Sequence, residues 1–288
     1  MSRPVIHALL TVHDRRVETL ACLERLTAQA RDAEAEVRVV VVDDGSTDGT
    51  AEAVRARFPE VRLVLGSGQL YWNGGMRRAF EAARRDDPDF YLLLNDDTHL
   101  LPGALARLLQ THRDLGAVGE RRCVVVGSTL DPTTGLQSYG GWRKGPRFDP
   151  ARIRLLAPGA KAIPCDTMNG NCVLLPRDVA AEVGNLDAAF THRMGDLDYG
   201  FRARRLGCTL FVAPGYVGEC VANSGRGLWV ERSLGARERW RRLLGPKGLP
   251  PREWLVFTSR HYGPLWPAHF AWPYLKNAWQ AALGPWAR

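Results

Sequence analysis

Val37-Arg38-Val39-Val40-Val41-Val42-Asp43-Asp44-Gly45-Ser46-Thr47-Asp48-Gly49-Thr50 decides how this chain is organised. Five valines in six positions make a run with no polar face, the pattern of a strand covered on both sides in a parallel sheet. Small and acidic residues then form a turn, and a helix is expected to start at Thr47 or Asp48. Strand, turn and helix in that order are the opening of a βαβ unit.

The same alternation extends on both sides. Val5–Thr11 is a continuous apolar run, and Leu20, Leu23 and Leu26 give Val17–Ala30 a helical stripe. Val61–Leu65 predicts a strand, Met76–Arg84 a helix, and Phe90–Leu94 a strand that ends in Asn95-Asp96-Asp97-Thr98. Pro102 opens a further helix. The expected fold class is therefore α/β, Rossmann-like, with a mostly parallel central sheet and helices on both faces. Past Gly116 the alternation breaks. Val124–Gly127 is a strand, and residues 129–165 predict a long excursion over one face. Asn171–Pro176 (strand), Arg177–Val183 and Asp196–Leu206 (helices) and Thr209–Ala213 (strand) make a second structured block.

Composition divides the chain. Of 288 residues, 45% are hydrophobic and 24% charged, which excludes a disordered or fibrous protein. The net charge of +8 lies after Gly225, where 11 Lys or Arg meet 3 acidic residues and seven of the nine tryptophans fall. The expected division is 1–222 as catalytic domain and 223–288 as a basic, tryptophan-rich helical extension. His261–Leu275 is uncharged but holds three prolines in 15 residues, too short and too broken to span a bilayer. Arg3-Pro4 runs straight into a strand with no small-residue cleavage site, so no secretory signal is expected. Six cysteines without a Cys-x-x-Cys pair are expected as reduced thiols rather than a zinc site.

Ligands of an open parallel sheet sit beyond the carboxyl ends of its strands. Three strands here end in Thr11 with Asp14, in Asp43-Asp44, and in Asp96-Asp97. Carboxylates gathered at one sheet end repel unless a cation joins them, and oxygen ligands without paired His or Cys select Mg2+ or Mn2+. Each aspartate alone also serves as a turn former or cap. Both readings stay open for Asp43, and the cap is preferred for Asp48. No Gly-x-Gly-x-x-Gly, P-loop or Gly-x-Ser-x-Gly occurs at a strand end, which disfavours dinucleotide reductases, P-loop ATPases and α/β-hydrolases. Asn73-Gly74-Gly75-Met76-Arg77-Arg78 offers glycines and two arginines instead. In Gly195-Asp196-Leu197-Asp198-Tyr199-Gly200-Phe201-Arg202, two carboxylates share a helix start. They form either a capped helix with an ion pair or a general base projecting into a cleft.

Taken together, these motifs, with Met168-Asn169-Gly170-Asn171-Cys172 and Gly184-Asn185-Leu186-Asp187, resemble the family 2 inverting glycosyltransferases with the GT-A fold over roughly residues 4–220. The resemblance implies that Thr11 and Asp44 hold the pyrimidine base of a UDP- or dTDP-sugar, with Arg77 alongside. Asp96 resembles the ribose carboxylate, Asp97 the direct ligand of Mg2+ or Mn2+, and Asp196 the catalytic base, with Asp198 as the fallback. It implies transfer of a sugar from a nucleotide-diphosphate donor to an acceptor glycan or lipid-linked glycan, in bacterial cell-surface polysaccharide or glycolipid synthesis. The rivals are a non-catalytic nucleotide-sugar-binding scaffold and a sugar-1-phosphate nucleotidyltransferase. The latter wants a Gly-rich loop after the first strand, which Thr11–Arg15 lacks.

Three departures from the family pattern stand out. Gly195 precedes the base where Glu is common. No His follows the last core strand, leaving Glu219, Asn223, His261 or water to complete the metal shell. Thr11-Val12-His13-Asp14 replaces Pro-x-Tyr-Asn.

The tail lies outside the resemblance. Arg237, Arg239, Arg241 and Arg242 cluster, and Trp254, Trp266, Trp272, Trp279 and Trp286 recur among prolines. Two readings remain open. In one, 225–288 docks on an anionic membrane surface, giving a cytoplasmic protein peripheral on the inner face of the cell membrane. In the other, the tryptophans cover an edge of the catalytic domain and the arginines are solvated. Nucleic acid is not an expected partner, because no binding module accompanies the charge.

Overall fold

The computed structural model describes residues 3–146, 152–223, 228–231 and 233–282. Along the first half, β1 (Val5–Val12), α1 (Arg16–Asp32), β2 (Glu36–Asp43), α2 (Thr50–Arg57), β3 (Arg62–Leu65), α3 (Tyr71–Ala83) and β4 (Phe90–Leu94) alternate as expected. The short β5 (His99–Leu100) and α4 (Ala104–Ala117) follow, then β6 (Cys123–Leu130). Helix α2 starts at Thr50 rather than Thr47 or Asp48. The N-cap of α2 is Gly49, and Asp48 just before it does the capping work expected of it, its Oδ1 accepting the Thr50 N–H at 3.0 Å and its Oδ2 the Arg16 N–H at 2.9 Å. One carboxylate thus starts two helices.

The excursion is not structureless. It forms β7 (Gln137–Tyr139), β8 (Gly141–Lys144), β9 (Ile153–Leu155) and β10 (Ile163–Cys165), then β11 (Thr167–Met168). The second block is β12 (Cys172–Pro176), α5 (Arg177–Val183), α6 (Gly195–Arg205) and β13 (Thr209–Glu219), six residues longer than its apolar run. The tail holds α7 (Ala236–Leu244), α8 (Pro251–His261) and α9 (Trp266–Ala282), the last passing through Pro273.

The main sheet runs β10-β13-β6-β12-β4-β1-β2-β3, with β5 on β13 and β7 on β6. Strands β4, β1, β2 and β3 are parallel neighbours, as are β13 and β6, while β12 enters antiparallel between β4 and β6. Alternation along the strands covers both faces. Leu92, Leu94, Val39 and Val41 pack under Leu23 and Leu26 of α1 and Leu105 and Leu108 of α4. On the other face, Tyr91, Leu93, Val40 and Val42 meet Met76 and Phe80 of α3 and Tyr199 of α6. Strands β11, β8 and β9 make a separate small sheet.

Among the described residues, the buried aromatic side chains of the tail join a cluster with the preceding domain. Trp254, Phe257 and Tyr262 share a cluster with Phe190, Met194 and Phe201, so α8 is packed onto the residues around α6. All six cysteines are free and buried. Among the described residues, no helix is long and apolar enough to cross a membrane.

Candidate active site

Register sets which residues meet. Thr11 pairs with Val42 and Val12 with Asp43, while Leu9 pairs with Leu93, so β1, β2 and β4 end side by side. Strand β12 runs the other way, and Cys172 opposite Leu94 puts its entry, Asn169–Asn171, at the same edge. Thr11, Asp43-Asp44, Asn95-Asp96-Asp97 and Asn169–Asn171 therefore line one rim, the place where parallel sheets take ligands.

Asp44 spends its carboxylate on the backbone. Its Oδ1 accepts the Gly68 N–H at 2.8 Å, and its Oδ2 accepts those of Leu70 and Tyr71 at 2.8 and 2.9 Å. The carboxylate thereby fixes the loop that enters α3. Tyr71 takes φ +54°, a left-handed conformation costly for a bulky residue, and Trp72 follows it into the helix. Thr11 lies under the same helix: a Cβ at Gly75 would sit 1.9 Å from Thr11 Oγ1, so only glycine lets α3 approach β1. Arg77 is not brought to this group. Its Nε donates to the Leu186 carbonyl at 3.0 Å, and its guanidinium sits 3.8 Å from Glu81.

Trp72 joins the two halves of the rim. Its Nε1–H donates to Asn95 Oδ1 at 2.7 Å, beside the Asp96-Asp97 pair. Its ring also lies against Gly170, where a Cβ would come within 2.4 Å of Cζ2. Gly170 in turn donates its N–H to Asp196 Oδ2 at 3.1 Å. The residue before the Asp96-Asp97 pair and the glycine bonded to Asp196 thus meet the same indole.

Asp96 and Asp97 share one cation, Arg15. Its Nη1 is 2.5 Å from Asp97 Oδ2 and 3.5 Å from Asp96 Oδ1. Asp96 Oδ2 is buried with no hydrogen-bond partner. Burial, with Asp97 beside it, pushes the Asp96 carboxyl up to about 7 despite Arg15. An orphaned oxygen and a destabilised anion both mark a place where positive charge is missing, so the pair fits a hard divalent cation. Among the described residues no group of three or more His, Cys, Asp or Glu could hold a metal ion. The protein would therefore supply two carboxylates and leave other positions to ligand and water. Of the substitutes for the missing His, His261 is committed elsewhere: its Nε2 is 2.9 Å from Asp198 Oδ1. Asn223 is exposed, and its N–H donates to the Tyr139 hydroxyl at 3.0 Å. Cys220 is the side chain found beside the pair, its thiol 3.4 Å from Asp97 Oδ1.

The two carboxylates of α6 part company. Asp196 accepts the Gly170 and Leu197 N–H groups and a hydrogen bond from the Asn169 side chain. Asn169 is itself oriented by Trp142 of β8, whose Nε1–H donates to Asn169 Oδ1 at 2.7 Å. Burial raises the Asp196 carboxyl above its ordinary value against those hydrogen bonds, which suits a proton acceptor. Asp198 is fully buried and paired with Arg202 at 2.7 Å, His261 at 2.9 Å and Arg260 at 3.2 Å. It ties α6 to α8, each oxygen engaged by an arginine or histidine side chain.

Gly195 has a steric reason. A Cβ there would lie 1.9 Å from Asn73 Oδ1, and Asn73 is pinned by its Nδ2 donating to the Asp187 and Phe190 carbonyls at 2.9 and 2.6 Å. Gly195→Ala is expected to cost about 1–3 kcal/mol by overpacking, read by urea unfolding. Unfolding indistinguishable from the parent would mean that Asn73 yields freely.

Sequence reasoning missed Trp72, Asn95, Asn169, Trp142 and Arg15. Asn95 and Asn169 stood inside quoted motifs, but nothing local distinguishes a turn asparagine from one that receives an indole N–H. Trp72 and Trp142 carried no signal, since their roles depend on partners 23 and 27 residues away.

A family model described as Glycosyl transferase family 2 matches residues 8–168, more than half of the chain. Among curated proteins, the chain is similar to the N-acetylglucosaminyl-diphospho-decaprenol L-rhamnosyltransferase of Mycobacterium tuberculosis, in strains CDC 1551 / Oshkosh and ATCC 25618 / H37Rv. Identity is 28% over 214 residues, 67% of this chain and 69% of the relative. Among solved structures, it is similar to the mannosyltransferase PcManGT from Pyrobaculum calidifontis in complex with GDP-Man and Mn2+. That match has a TM-score of 0.57 and 16% identity, and covers 97% of this chain and 72% of the other. The architecture is that of the GT-A fold with a helical C-terminal region.

Proposed function

Because the chain belongs to glycosyl transferase family 2, we propose that it moves a hexosyl or deoxyhexosyl group from a UDP- or dTDP-sugar to a hydroxyl of a lipid-linked glycan, with inversion at the anomeric carbon. One observation carries the reading: Asn95, next to the Asp96-Asp97 pair, and Gly170, whose N–H binds Asp196, both meet the Trp72 indole on a single rim. Support for a lipid-linked acceptor comes from the relative named for a decaprenol-linked substrate. Cell-surface polysaccharide or glycolipid synthesis is the setting that such an acceptor implies. In this reading residues 1–222 carry the transfer, and 223–288 meet the carrier of the acceptor.

The proposed roles are these. Thr11 and the loop held by Asp44 border the base, with Asp44 acting through that loop. Arg77 acts from the 185–187 turn, where it steadies α3. Asp96 borders the ribose. Asp196 takes the proton of the acceptor hydroxyl as its oxygen bonds to the anomeric carbon. The bond from that carbon to the diphosphate breaks on the opposite side, and the diphosphate leaves with the electron pair. Arg15 places a fixed positive charge where that anion develops. Mg2+ or Mn2+ bound at Asp97 and the open oxygen of Asp96 would supply further charge neutralisation of the leaving group.

Asp97→Asn tests the metal assignment. Calorimetric titration of UDP with and without Mn2+ is expected to show the Mn2+-dependent gain in affinity falling by roughly 10–100-fold or more. An equal gain in variant and parent would take the metal off Asp97.

A further inference from the structure

Helix α9 is apolar on two opposite sides, and the fold covers only one of them. Trp266, Phe270 and Tyr274 pack against the cluster of Trp254 and Phe257, and the Tyr274 hydroxyl donates to the Leu249 carbonyl at 2.7 Å. Asn277 is buried on that side, where Arg239 of α7 reaches its Oδ1 at 3.1 Å and Gln280 Oε1 at 2.7 Å. On the other side Trp272, Leu275 and Trp279 are 64%, 62% and 67% exposed. Their spacing of three and four residues sets them in one stripe along the helix, with the exposed Lys276 beside it. Leu265, 52% exposed, precedes the first turn.

A helix apolar all round is normally buried, and an exposed apolar stripe of this kind marks a surface that something covers. Charge says what. From Trp254 to the last residue the sequence holds no Asp or Glu. Beside the stripe itself Lys276 is exposed, and α9 carries no acidic side chain. Large indole rings on a helix with a basic and no acidic side chain suit the headgroup layer of an anionic bilayer rather than water. The helix has 17 residues with Pro273 inside it, which fits lying along the surface rather than crossing it.

We infer that α9 lies flat in the interface of an anionic lipid bilayer, with Trp272, Leu275 and Trp279 inserted among the headgroups and Lys276 beside the lipid phosphates. The opposite side of the helix is bolted to α8, and α8 to Asp198 of α6. The catalytic rim is thereby held at a set orientation to the membrane. This deepens the lipid-linked acceptor reading and rests on it for its purpose, while its geometry stands apart from it. Both readings of the tail find residues here: Trp254 and Trp266 cover the domain, and Trp272 and Trp279 face outward.

The test is co-sedimentation of the full chain with phosphatidylglycerol–phosphatidylcholine vesicles and with phosphatidylcholine vesicles, at low and high salt. The expected result is pelleting with the anionic vesicles at low salt. The variant W272S/L275S/W279S should lose it by roughly tenfold or more while melting like the parent. Brominated-acyl lipids should quench the parent's tryptophan fluorescence, which tests insertion without any variant. A parent that stays in the supernatant, or a folded variant that pellets equally, overturns the inference. So does a parent that dimerises by sedimentation velocity through these residues without binding vesicles. Vesicle binding without transfer to a lipid-linked acceptor would count against the acceptor reading alone. Transfer without vesicle binding would count against this inference alone.

Discussion

Asp196→Asn is expected to lower the turnover number by about 10²–10⁴, the usual worth of a positioned general base, and to leave donor affinity unchanged. The amide matches the carboxylate in size and keeps one oxygen, which can go on accepting the Leu197 N–H at the start of α6, while the Gly170 N–H loses its acceptor on the other oxygen. What it cannot do is take a proton. The pH profile gives a second reading of the same residue. Burial raises the Asp196 carboxyl above its ordinary value, and the base works only when ionised. Turnover should therefore fall as pH is lowered through a value above the usual aspartate range, and the variant should lose that limb. Full turnover in the variant, with the limb intact, would move the base elsewhere.

Asp198→Ala should act on stability instead. Removing this carboxylate leaves the buried His261 and the partly buried Arg202 without their anion, while the exposed Arg260 keeps Asp187. Breaking a buried pair from one side typically costs about 3–5 kcal/mol. For a chain of this size that is a fall of roughly 6–20 °C in melting temperature. Burial alone would raise the Asp198 carboxyl, but hydrogen bonds from His261 and Arg202 hold it below its ordinary value. The stability it contributes is therefore present above the unfolded aspartate pKa and is lost as pH falls through the lower folded value. Scanning calorimetry at neutral pH decides the matter, and a melt within a degree of the parent would remove the anchor role. The milder Asp198→Asn should keep turnover in its folded fraction, whereas loss there equal to that of Asp196→Asn would restore Asp198 as base.

Much of the fold was legible because strand and helix patterns are local. Phe90–Leu94 and Arg177–Val183 fall where their apolar periods put them, since alternation across a sheet and a 3.6-residue turn are both written in neighbouring residues. Residues 129–165 were legible only as an interruption. Their strands are three or four residues long and gain definition from partners such as β13 and β11 rather than from a period of their own. The start of α3 was read late, at Met76. Tyr71 to Gly75 carries no helical stripe and is held by Asp44 from across the sheet.

The sequence by itself determined an alternating parallel-sheet fold, a set of acidic strand ends, reduced cysteines and a basic tail, because each of these is a property of composition or of short spacing. The tertiary structure decided which acids share a rim and which partners each one meets. Asp196 and Asp198 stand two residues apart, about 200° around a helix, and no spacing rule says which partners each will find. Their fates diverge because Gly170 meets one and His261 the other, 26 and 63 residues away. Such pairings exist only once the chain has collapsed and buried charges must find their partners.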